Sequence, residues 1–155
     1  MNDLAQVAID AARRLGAEYA DIRIAEYKRQ LLNTEDERVN NITDSENVGF
    51  GVRVVAKGAW GFAGSSEINR EEIQRITKLA IDIANASATT LRKPVRLTPE
   101  PMHQETFTTP YQIDPFSVEI DQKIGLLLEI NRSLLKHKGI QKAEALMDLR
   151  KVDRF

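Results

Sequence analysis

Few residues in this chain are equipped for chemistry, and they are scattered. The 155 residues include two histidines, His103 and His137, and no cysteine. Disulfides, thiolate metal sites and cysteine nucleophiles are therefore excluded. No H-E-x-x-H spacing occurs, and a zinc site normally takes three or four protein ligands. A metal site made by this chain alone is not expected, and His137 reads as a polar residue at a helix C-terminus. Ser133-Leu134-Leu135-Lys136 matches S-x-x-K, but the S-D-N and K-T-G partners of that motif are missing, so the match is accidental. Glu35, Asp36 and Glu37 form the tightest carboxylate group. With Arg38 adjacent and Lys28 near in sequence, they read as a solvated bend rather than an acid–base pair.

The other chemical candidate is the glycine-rich stretch NVGFGVRVVAKGAWGFAGSS, residues 47–66, with Gly49, Gly51, Gly58, Gly61 and Gly64. A phosphate cradle would place its glycines between a strand and a helix N-terminus. Here there is no G-x-x-x-x-G-K-S/T, and Val54 stands where a dinucleotide fingerprint needs its third glycine. Period-two alternation instead puts the glycines inside a hairpin. Lys57-Gly58 supplies the turn, and Gly49, Gly51 and Gly61 allow another backbone or a helix to approach closely. Val48, Phe50, Val52 and Val54 share one strand face. Trp60, the only tryptophan, shares a face with Phe62 and is expected to pack in the core beside it.

Flanking elements must position this hairpin. Leu4, Val7, Ala8, Ala11 and Leu15 recur at helical spacing over residues 3–15, with Gly16 as a stop. Ala20, Ile22 and Ile24 alternate with polar residues as a strand. Residues 33–38 read as a polar bend or a pleated edge, Val39 and Ile42 as a short strand, and TDSEN, residues 43–47, as a turn. After the hairpin, Ile73, Ile76, Ala80, Ile83 and Ala84 make one helical stripe, with Asn69 and Glu72 placed for a capping box. All five prolines fall between Pro94 and Pro115, which predicts an extended connector. Ser117–Lys138 reads as an amphipathic helix and residues 140–155 as a strand.

The expected fold is thus α+β. A helix, a four-stranded, mostly antiparallel sheet with a long hairpin, and a second helix come first, followed by a linker and a helix–strand unit. The spans are 1–93, 94–115 and 116–155. The composition is that of a folded domain, 42% hydrophobic and 29% charged. Lysine plus arginine number 22 against 23 acidic residues, a balance that argues against direct nucleic-acid binding. No run approaches the roughly 20 apolar residues of a membrane span, and a cytoplasmic location is expected. One helix and one strand do not bury a core by themselves. The segment 116–155 is therefore expected to dock on the first domain, to pair with another chain, or to begin a longer protein.

Residues 19–87 resemble the N-terminal domain of the TldD/PmbA family, named as modulators of DNA gyrase and regarded as zinc-dependent peptidases. YADIR, VGFGVRVV, GAWGFA and the following helix carry the resemblance, in that order, and the GVRV…GFA version is more similar to the TldD branch. Residues 116–155 are similar to the start of that family's central domain. The resemblance implies zinc in the full-length family, held by an H-E-x-x-x-H motif with a further ligand downstream. Nothing here matches that motif, so no catalytic or metal residue carries over. It also implies peptide degradation or processing by a TldD–TldE heterodimer, for which this chain would build interface and chamber wall while being inactive alone. The implied partners are a homologous subunit or a second copy, with peptide as the substrate of the whole. The alternative is a complete short protein that binds a partner and has no peptidase activity.

Overall fold

The computed structural model describes residues 2–155. Its elements run α1 (Asn2–Arg14), β1 (Tyr19–Glu35), β2 (Arg38–Ala56), β3 (Ala59–Ser65), α2 (Arg70–Ala88), α3 (Ile120–Leu135) and β4 (Glu144–Arg154). The strands form one four-stranded sheet in the order β3-β2-β1-β4. The fold is α+β with an open antiparallel sheet. Ile24 and Phe155 exchange both backbone bonds, at 3.0 and 2.9 Å, as an antiparallel hydrogen-bonded pair does.

The chain divides into two units, each discontinuous in sequence: residues 1–26, 47–102 and 152–155, and residues 27–46 and 103–151.

In the first unit, β2 and β3 pair from Phe50↔Ser65 to Ala56↔Ala59. The turn needs two positive φ angles, 50° at Lys57 and 70° at Gly58, the signature of a two-residue primed turn. Phe50, Val52 and Val54 point to the inner face, with Ala59 and Ala63 opposite them. There they meet Val7, Ala8 and Ala12 of α1 and the buried stripe of α2: Ile73, Ile76, Thr77, Ala80, Ile81 and Ala84. Ile81 takes the place expected for Ile83, which is exposed: the stripe centres on Ile73, Thr77, Ala80 and Ala84, and Ile83 lies farther round the helix from that line. Asn69 Oδ1 accepts from Glu72 N at 2.8 Å. The Glu72 carboxylate does not return to the cap; it binds Arg75 and the Ser65 hydroxyl.

The second unit corrects two expectations. Residues 43–47 are mid-strand, not a turn, and the bend at 33–38 narrows to Asp36-Glu37 between two long strands. Their polar composition reflects exposure: the strand segment from Arg38 to Thr43 is exposed throughout. Helix α3 is shorter than expected and is seated by Lys123, Leu127 and Asn131. Leu126, Ile130 and Leu134 remain exposed.

Candidate functional site

The outer face of the first unit carries its polar and aromatic side chains on alternate strand positions: Tyr19 and Asp21 of β1, Arg53 of β2, Trp60 and Phe62 of β3. Arg53 Nε donates to Asp21 Oδ2 at 2.8 Å, which fixes the guanidinium. Its Cζ lies 5.0 Å from the Trp60 ring centroid, within cation–π range. Tyr19 meets the same indole edge-on, with centroids 5.9 Å apart and planes at 87°. Trp60 is 37% exposed and Phe62 63%, so neither packs in the core. The expectation failed because Gly61, Ala59 and Ala63 are the residues that face α2; the larger side chains would not fit beneath the helix.

Two glycines explain this arrangement. A Cβ at Gly61 would collide with the Ala80 carbonyl oxygen and lie 2.7 Å from the Ala84 nitrogen, so α2 rests directly on the strand. A Cβ at Gly51 would lie 2.8 Å from the Phe62 ring; the ring occupies the space over that glycine. Gly49 faces the Ser65 carbonyl oxygen, 3.1 Å from where its Cβ would stand. No phosphate cradle is formed, since these residues lie within paired strands.

Partial burial, then the Asp21 carboxylate, push the Tyr19 hydroxyl above its ordinary pKa of 10.0, which keeps it neutral and able to donate. Hydrogen bonding to Asp21 holds the Arg53 guanidinium above its ordinary value. The face thus presents a fixed cation, a phenol bonded to the Asp21 carboxylate and two accessible rings.

The remaining sequence candidates lie in the second unit. His103 and His137 are exposed, as are Ser133 and Lys136. The carboxylates at the hairpin tip stand on a surface turn, and each has a partner. Glu35 pairs with Lys142 at 3.0 Å and Glu37 with Arg132 at 3.6 Å. Asp36 Oδ1 accepts from Ala143 N at 3.0 Å.

Sequence reasoning missed a buried polar seam. Lys123 Nζ donates to Gln30 Oε1 at 2.6 Å, and Gln30 Nε2 donates to Asp44 Oδ2 at 3.0 Å. Two helical turns on, Asn131 Nδ2 donates to Thr34 Oγ1 at 3.0 Å, while its Oδ1 has no partner. The signal was present as Lys123, Leu127 and Asn131 at four-residue spacing. Lys28 and Lys123 also flank the Phe116 ring, at 5.6 and 6.0 Å. Among the described residues, no three of His, Cys, Asp and Glu gather as metal ligands, and no helix is long and apolar enough to cross a membrane.

The β2–β3 hairpin, the contact of Gly61 with α2, and Arg53, Trp60 and Phe62 lie in a segment that a family model matches. Residues 20–84 match PmbA/TldA metallopeptidase domain 1. Residues 20–84 are thus similar to a PmbA/TldD first domain. A metalloprotease of Methanocaldococcus jannaschii is 26% identical over 121 residues, 78% of this chain and 27% of that protein. Three solved structures share the fold. A Bacteroides thetaiotaomicron protein named as a candidate modulator of DNA gyrase has a TM-score of 0.77 at 20% identity, covering 99% of this chain and 36% of its own. A Thermotoga maritima protein of the same description gives 0.66 at 12% identity, covering 99% and 35%. TldE of Thermococcus kodakarensis gives 0.56 at 12%, covering 97% and 34%. The chain thus spans about a third or less of the relatives it matches. The PmbA/TldD name implies a metal in full-length members, but the residues present here do not fit one: the histidines stand in different segments, without the clustered carboxylates a site would need.

Proposed function

We propose that this chain serves as the non-catalytic N-terminal portion of a TldD-like metallopeptidase that processes short or unfolded peptides. In that reading residues 1–93 form the first domain, 94–115 link it onward, and 116–155 open the next domain. The chain's part is assembly: it supplies subunit interface and the wall of a peptide chamber, beside a TldD/TldE-type homologue. The observation that carries this is the family match over residues 20–84, whose core face is sealed by α1 and α2 while its outer face presents Tyr19, Arg53, Trp60 and Phe62. A surface of that kind binds; it does not cleave.

The test uses the purified chain. After incubation with zinc and removal of excess, metal analysis is expected to find no stoichiometric zinc. A mixture of unstructured peptides is expected to remain intact by mass spectrometry. Bound zinc at one ion per chain, or zinc-dependent cleavage, overturns the proposal.

A further inference from the structure

The outer face of the first unit holds a shallow trough. Strands β2 and β3 place Gly51 opposite Gly64. Asp21 bonds Arg53, and nine residues farther along each strand Gln30 bonds Asp44. An antiparallel register that satisfies both stands Arg23 across from Gly51 and Ala25 across from Gly49. Two neighbouring rows on this face, Gly64 with Gly51 and Gly49 with Ala25, are therefore nearly free of side chains. The Phe62 ring leans in over Gly51 and stays 63% exposed. Two cations stand at the β1 and β4 end. Arg23 is 73% exposed; its acidic neighbour Asp21 lies 4.0 Å away and gives its other oxygen to Arg53 at 2.8 Å. Arg154 turns to the same face, because the adjacent Phe155 pairs with Ile24, whose side chain is buried on the helix side. Arg154 is exposed, and among the described residues no hydrogen bond or ion pair holds it.

An apolar ring beside guanidinium groups that lack a close carboxylate suits a ligand carrying an apolar side chain and a carboxylate a short distance apart. We infer that the trough binds the C-terminal residue of a peptide, with its α-carboxylate at Arg23 and Arg154 and its side chain on Phe62. Neighbouring strands lie ~4.8 Å apart, so Arg23 stands about one residue's width from the ring over Gly51. The residue that ends a peptide carries both groups on one Cα. An internal acidic residue needs a second residue to supply the apolar side chain, which the short span from ring to cation does not favour. A guanidinium holds a carboxylate through two parallel N–H bonds, and glycines let the peptide backbone come close to the sheet. Single-stranded nucleic acid fits less well, because it stacks successive bases on successive rings. Here Trp60 is engaged by Arg53 and Tyr19, which leaves Phe62 as the free platform.

This rests on the reading of the chain as a chamber wall and names the part of the peptide that the wall holds; its test is separate from the zinc and cleavage assays. The whole chain is titrated with N-acetyl-Ala-Ala-Phe and followed by amide NMR. The Gly49, Gly51 and Gly64 amides are expected to shift together and to saturate with a Kd of about 1 mM or tighter. The same peptide as its C-terminal amide is expected to bind at least about tenfold more weakly, since it offers no charge-assisted bond. An amidated peptide with an internal aspartate beside phenylalanine is expected to do no better. Arg23→Gln and Phe62→Ala are each expected to weaken binding of the free acid at least about fivefold, while Arg23→Lys, which keeps the charge, recovers part of the loss. Circular dichroism is expected to be unchanged in all three variants, since both side chains are exposed. Equal binding of acid and amide overturns the inference, as does tighter binding of the internal aspartate, or glycine amides that stay unmoved at about 10 mM peptide. A thymidine decamer that shifts the same amides at lower concentration overturns it in favour of nucleic acid. A chain that binds no zinc and no peptide end would keep the functional proposal and remove this one.

Discussion

The two units seat their helices by opposite means. In the first, the buried stripe of α2 is apolar except for Thr77, whose hydroxyl bonds back to the Ile73 carbonyl, and Ile73, Ala80 and Ala84 reach 0% exposure. In the second, α3 is held by a polar rung at Lys123–Gln30 and another at Asn131–Thr34, on either side of buried Leu127 and Leu32. Apolar contact is tolerant of small slips; a hydrogen-bonded rung is not, because a slip leaves buried groups unpaired. The first unit is built for stability and the second for register. Leu126, Ile130 and Leu134 stay exposed because Lys123, Leu127 and Asn131 turn the helix so that a polar stripe faces inward.

The sharpest way to break this contrast is at Gly61. Gly61→Val puts a branched side chain into the Ala80 carbonyl and is expected to cost about 3 kcal/mol or more by thermal denaturation, since backbone must move to admit it. Gly125 lies on α3, where an added Cβ meets nothing within 4 Å. Gly125→Ala is therefore expected to stabilise slightly, by less than about 1 kcal/mol. Equal effects at the two glycines would mean that α2 and α3 are not held differently.

The polar seam gives the next effect. Gln30→Leu leaves the Lys123 ammonium buried without its acceptor and is expected to cost about 2 kcal/mol. Adding Lys123→Met removes the orphaned charge, and the double variant is expected to return to within about 1 kcal/mol of the parent, as apolar replacements of buried polar pairs often do. The non-additivity is the diagnostic. Simple addition of the two single-variant costs would refute the rung as a coupled pair.

This contrast also explains which parts were legible in the sequence. The first unit was readable because its signals are local: alternation in β2, the Lys57-Gly58 turn, the α2 stripe and the Asn69 cap all act within a few residues. Trp60 was misplaced because its face depends on what Gly61 touches in α2, information no strand carries alone. The second unit was poorly readable because its partners are far apart. Gln30 meets Lys123 across 93 residues, and Thr34 meets Asn131 across 97. Residues 43–47 have a turn's composition, yet pairing along a long antiparallel arm holds them extended. The outer face of the first unit combines both cases: Arg53 and Phe62 are register partners within one hairpin, whereas Asp21 reaches Arg53 across 32 residues.

Acid sharpens the comparison least, through one carboxylate in each unit. Hydrogen bonds from Arg75, then from Ser65, hold Glu72 down to about 2 from an ordinary 4.5. Arg29, then Arg150, hold Asp148 well below its ordinary 3.8. A carboxyl depressed in the folded state stabilises fully above its unfolded pKa, and that stabilisation is lost as pH falls toward the folded value. The Glu72 contribution is thus present above 4.5 and fades between there and about 2, while that of Asp148 fades from 3.8 downward. Both pairs are surface pairs, so the losses are small, but they differ in reach. Arg75 is three residues from Glu72 on the same helix, whereas Arg29 and Asp148 are 119 residues apart. Acidification is therefore expected to raise hydrogen exchange at the start of α2 first, as pH falls below 4.5, and in β4 only below 3.8, where the tie that is lost is the long-range one. Carboxyl-carbon NMR titration is expected to show Arg75→Met returning Glu72 toward its ordinary value and Arg29→Met moving Asp148 part of the way, since Arg150 still binds it at 2.6 Å. An Asp148 that returns fully in Arg29→Met would make the long-range tie its only anchor, and one that does not move would assign the depression to Arg150 within the strand.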